Sequence, residues 1–213
     1  MEPPTVPAFL DKLRTLRWDD HRYYHQCRIN QTLHLISALS FLVAYGLLFV
    51  DPAAAAIVGW CVGMVSRQSG HIFFEPKGYD DINGCSYAAK EGFKAGYNMR
   101  RKAILIGVWL ALPLLLWARR DLFGLITPST GTVGVLGLSG YWHDLGLLWL
   151  ALGSGGVLLR TLQLCFLRSP AWGLAWMSKI LTDPLHNIDI YWRSPIALLQ
   201  GQRYEPIDPA TAH

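Results

Sequence analysis

Four long stretches of this chain carry almost no charge, and they constrain its fold more than any other feature. Residues 31–50 contain no Asp, Glu, Lys or Arg, and residues 53–74 are interrupted only by Arg67. Residues 103–118 are fenced by Arg100, Arg101 and Lys102 before and by Arg119 and Arg120 after, and residues 145–167 contain only Arg160. A helix rises about 1.5 Å per residue, so roughly 20 apolar residues cross a hydrocarbon core of about 30 Å. The first stretch begins too late for a signal peptide and has no small-residue cleavage site at its end. The fold expected is all-α, a polytopic membrane helix bundle of about four transmembrane helices forming one integral membrane domain over residues 1–213. Only 16% of residues are charged, against about 25% in soluble globular chains, which excludes disorder, coiled coil and collagen.

The remaining segments complete this picture. Residues 122–140 are uncharged but rich in Gly, Ser, Thr and Pro, and read as a loop or shallow interfacial segment. Residues 169–200 interleave Trp172, Trp176, Tyr191 and Trp192 with Lys179 and Arg193, as interfacial helices do at headgroup level. With four spans and the N-terminus inside, 15 of the 19 Lys and Arg fall on the inner side and two on the outer. That bias places both termini in the cytoplasm; a bacterial inner membrane and the endoplasmic reticulum fit equally well. The net charge is only +4, without a run of five like charges, so no nucleic-acid partner is expected. Cys27, Cys61, Cys85 and Cys165 are too widely spaced for a disulfide framework or a metal knuckle.

The topology sorts the histidines. His21, His25, His34, His71 and His186 gather on the inner face, whereas His143 faces the other side and His213 ends the tail. His21 and His25 are one helical turn apart, and a break near Asn30 would let His25 fold back towards His34. Asn30 itself suits the cap of the first span. His71 and Glu75 are also one turn apart, so both can face one cation, or Glu75 can orient His71 from behind. Asp183 followed by Pro184 looks like a helix start, with His186 and Asp189 a turn apart beyond it. Imidazole with carboxylate suits iron, zinc or copper. Arg67 and Arg160 are costly inside a bilayer unless they snorkel or find a partner. Arg67 can pair with Glu75, or either arginine can grip a lipid carboxylate.

Two segments resemble a known family. Tyr23-Tyr24-His25-Gln26-Cys27-Arg28-Ile29-Asn30-Gln31-Thr32-Leu33-His34 is similar to the YxH, N, H stretch that opens the Mpo1-like membrane proteins. Gln68-Ser69-Gly70-His71-Ile72-Phe73-Phe74-Glu75 is similar to their GHxxFE element at the end of a hydrophobic helix. The likeness spans the N-terminal half as far as Asp81. It implies an iron(II)-dependent dioxygenase that shortens a 2-hydroxy fatty acid by one carbon, with O₂ and a lipid or fatty acid as substrates. It further implies that His25, His34 and His71 hold Fe(II), zinc being the rival ion, with Glu75 as ligand or orienter and Asn30 beside them. His186 is a further candidate ligand, and Arg67 and Tyr24 are candidates for contact with the lipid. Two other readings remain, a di-iron lipid hydroxylase or desaturase and a lipid-binding membrane protein without catalysis.

Overall fold

The computed structural model describes residues 6–81 and 83–205; His213 lies outside them. The fold is all-α apart from one two-residue hairpin. Helix α1 (Val6–Tyr24) is followed by α2 (Arg28–Leu47). Next come α3 (Pro52–Val58), the π-helical π1 (Gly59–Met64), α4 (Val65–Ser69) and π2 (Gly70–Phe74). The junctions between these four have helical backbone, so residues 52–74 form one rod. Helices α5 (Tyr87–Phe93), α6 (Met99–Ala118), α7 (Gly140–Leu167), α8 (Pro170–Tyr191) and α9 (Ser194–Leu199) complete the set. Strands β1 (Thr132–Val133) and β2 (Leu138–Ser139) pair antiparallel in the segment before α7.

Each boundary has a local cause. Asp51 caps the rod by accepting the Ala54 amide at 3.0 Å, and Pro52 at the first helical position has no amide to leave unpaired. At the other end Glu75 is already extended (φ −75°, ψ 125°), as a residue before proline must be. Ser169 and Pro170 start α8 in the same manner as Asp51 and Pro52 start the rod.

Helix α8 corrects one expectation. Asp183 and Pro184 do not begin a helix, because α8 runs through them to Tyr191. Pro184 forfeits one backbone bond, but buried Asp183 is held by ion pairs to Lys179 and Arg67, and those contacts outweigh the local signal.

Helix α8 packs against α1, α2 and α7, while α2 packs along the rod and the rod along α7. Away from the histidines, Trp60 stacks on Trp109 and Trp109 meets Trp149 at a tilt, with ring centroids 5.6 and 5.7 Å apart. The indoles also donate to backbone, Trp60 to Trp149 O and Trp149 to Trp109 O. Among the described residues α6 and α7 are long and apolar enough to cross a membrane. Helix α6 leaves Ile104, Leu110, Leu114 and Trp117 exposed, an apolar surface that water would not favour. Helix α2 is as long as α6, but its first two turns carry Arg28, Asn30, Gln31 and His34.

Candidate metal centre

The site begins where α1 stops. Tyr24 ends that helix, His25 and Gln26 connect, and Cys27 is the extended residue before α2. The last carbonyls of α1 need partners, and polar side chains from α2 supply them. Asn30 Nδ2 donates to Tyr24 O at 2.7 Å, and Gln31 Nε2 donates to His25 O at 2.7 Å. Asn30 therefore caps the end of the preceding helix, not the start of its own, and the break lies three residues before it. The C-terminal chain clamps the turn from outside: Arg28 N donates to Arg203 O, and Glu205 N donates to Gln26 O, each at 2.9 Å.

This turn carries His25 to His34, ring centroids 4.1 Å apart. The rod brings His71 to within 5.2 Å of His25 and 4.9 Å of His34, again between centroids. Gly70 permits the approach, since a β-carbon there would collide with the Asn30 side-chain oxygen. One nitrogen from each imidazole can be chosen so that all three lie within 4.8 Å of one another, and all three residues are buried.

The hydrogen bonding is lopsided in an informative way. His71 Nδ1 pairs with Glu75 Oε2 at 2.7 Å; with Glu75 ionised the ring donates from Nδ1 and keeps its Nε2 lone pair for a ligand. Glu75 is itself buried, which raises its carboxyl above the ordinary range against the pull of Lys94, whose ammonium lies 4.0 Å from Oε1. His25 Nδ1 faces Asp20 Oδ2 at 3.7 Å, while its Nε2 is buried without a partner. His34 makes no hydrogen bond at either ring nitrogen and is 0% exposed. An unsatisfied buried polar group costs about 1–3 kcal/mol, and native proteins rarely tolerate it. A cation among the three rings would take one lone pair from each, at His34 satisfying one of the two ring nitrogens. Burial also drives His25 down to about 3, so its ring is neutral, as a ligand must be. Three histidines, with Glu75 behind one of them, can hold a metal ion.

Other candidate residues take different places. His186 is not in the group; it is half-buried on α8, where burial and nearby Arg17 lower its pKa, and Asp189 is exposed. His21 bonds through Nδ1 to the Tyr191 hydroxyl at 3.1 Å. The expected Arg67–Glu75 pair is replaced by Arg67–Asp183, Nη2 to Oδ2 at 2.8 Å, because Glu75 is taken by His71. Tyr24 is buried, its hydroxyl donating to Lys90 O at 2.9 Å and its ring beneath Lys94 at 3.7 Å. Arg160 spends its guanidinium on Ala95 O, at 3.0 and 2.8 Å. Sequence reasoning missed Asp20, Lys179 and Tyr191. The hydroxyl of Tyr191 bonds His21 and its ring lies 5.8 Å from that of His25. A cavity of about 270 Å³ adjoins the site, lined by Cys27, Ile29, Phe73, Phe74, Glu75 and Arg203 among others. Cys27, Cys61, Cys85 and Cys165 are all free.

Compared with known proteins, the chain matches no family model, no curated protein and no solved structure.

Proposed function

We propose that this chain is a multi-pass membrane oxygenase whose non-heme iron(II), held by His25, His34 and His71, serves the oxidation of a lipid. The observation that carries this reading is His34, fully buried with both ring nitrogens unpartnered beside two other imidazoles. Histidines with only a structural role would spend those nitrogens on hydrogen bonds, which counts against the non-catalytic alternative. A di-iron centre needs more ligands than the three gathered here. The likeness of residues 23–34 and 68–75 to the Mpo1-like signatures favours iron over zinc, and supports a 2-hydroxy fatty acid shortened by one carbon as the reaction.

Iron(II) bound there supplies the one-electron chemistry that O₂ and a closed-shell lipid lack between themselves. The protein's own residues do the rest. His71 is oriented by Glu75, burial keeps His25 neutral, and His25 and His34 are both shielded from water. The cavity beside Glu75 gives an amphiphile a way in, with Phe73 and Phe74 for the chain and Arg203 for an acidic head. Helices α2, the rod, α6 and α7 would be the four spans, with the histidines at the cytoplasmic leaflet, where a lipid's polar end lies.

The test is metal analysis of the purified chain beside His34→Ala and His71→Ala, together with turnover of a labelled 2-hydroxy fatty acid under O₂. Stoichiometric iron in the parent, lost in both variants, and a product one carbon shorter are expected. Undiminished iron in both variants overturns the ligand set; a hydroxylated or desaturated product overturns the reaction.

A further inference from the structure

Behind His25 lies a chain of four charges, buried at Lys179 and Asp183, that the proposed chemistry does not use. Asp20 Oδ2 receives Lys179 Nζ at 3.0 Å, Lys179 also reaches Asp183 Oδ2 at 2.8 Å, and Arg67 Nη2 binds that same Oδ2 at 2.8 Å. Lys179 and Asp183 show only 8% and 1% of their side chains. Two carboxylates and two cations leave no net charge, which is the condition for burying such a group without a large penalty. Three elements meet in it: α1 through Asp20, α4 through Arg67 and α8 through Lys179 and Asp183. Two of them lead straight to ligands, since α1 ends one residue before His25 and α4 runs into the segment bearing His71.

The end of this chain that touches the site is Asp20, 3.7 Å from His25 Nδ1. His25 stands outside any helix, and among the described residues its ring makes no side-chain hydrogen bond; the Asp20 carboxylate, at 3.7 Å, is the charge that faces Nδ1. We propose that Asp20 is a positioning residue for the metal centre: held by Lys179, it keeps the His25 proton on Nδ1 and turns Nε2 towards His34 and His71. His71 has a closer carboxylate partner in Glu75, at 2.7 Å, so two of the three ligands would have a carboxylate behind them. This inference rests on the metal reading above.

A carboxylate behind a ligating histidine is worth about 10- to 100-fold in metal affinity. The probe is Co(II), titrated into the metal-free full chain in detergent and followed by its visible spectrum, with thermal melting of the metal-free protein alongside. Asp20→Asn is expected to weaken Co(II) binding about 10- to 100-fold and change the spectrum. It also strands Lys179, so a second variant, Asp20→Asn with Lys179→Met, removes both charges and leaves Arg67 paired with Asp183. That double variant is expected to melt like the parent and still bind Co(II) weakly. If it regains parental affinity, Asp20 serves only to neutralise Lys179 and the proposal is overturned, as it is if Asp20→Asn alone binds like the parent. A parent that binds no Co(II), Zn(II) or Fe(II) overturns the metal centre itself, a separate result.

Discussion

At the scale of the residue, the three gathered imidazoles are the candidate metal donors, and at His25 burial sets the protonation. His25 has its pKa driven down to about 3 from 6.5, chiefly by burial and against the pull of Asp20. The unfolded chain therefore binds a proton at this residue between those values and the folded chain does not, so stability is complete above about pH 6.5 and falls as the solution is acidified. At pH 5 the loss from His25 alone is about 2 kcal/mol. Melting of the metal-free protein in detergent, stepped from pH 7.5 to 5, should show a falling midpoint, and His25→Phe should make the fall shallower, with His21 and His186, also lowered by burial, keeping part of it. His25, His34 and His71 were legible because the apolar segments put them on one face and two short motifs carry them, and Glu75 because it lies one turn beyond His71. Asp20 and Lys179 were not, because 159 residues separate them and no pattern along a sequence marks an ion pair made by packing.

At the scale of the element, the turn at 25–27 and the close contact between α2 and the rod make the site. The turn was foreseeable from Asn30, though its position was not, because the side chains that satisfy the end of α1 come from the helix that follows. The π-helical stretches of the rod were invisible: widening a turn by one residue leaves no mark on an apolar run, although such stretches often accompany functional sites. Gly70 is where the two elements touch. Gly70→Ala should push the rod away from Asn30 and separate His71 from the other two rings. Its expected result is a loss of metal loading larger than any loss of melting temperature, measured on the same preparation, whereas Gly107→Ala, with open space around it, should change neither. Asp183 and Pro184 misled in the opposite direction, a strong local start signal overruled by ion pairs to α4 and within α8.

At the scale of the whole molecule, the helical class and the positions of α6 and α7 followed from apolar length alone. Helix α6 is the clearest candidate for a membrane-facing element: it is nearly bare, with Leu110 56% exposed at mid-helix. A lysine there costs about 2.5–3.5 kcal/mol if the helix faces lipid and close to nothing if it faces water. Leu110→Lys is therefore expected to deplete the chain from carbonate-washed membranes, and equal recovery of variant and parent would place α6 in water.

The order in which these parts leave the ribosome adds a consequence. All three imidazoles belong to the first third of the chain, so a nascent polypeptide owns its complete donor set long before Lys179, Asp183 and Tyr191 are synthesised. Capture of an ion can then precede closure of the bundle, and α8, arriving late in translation, would seal a centre already filled.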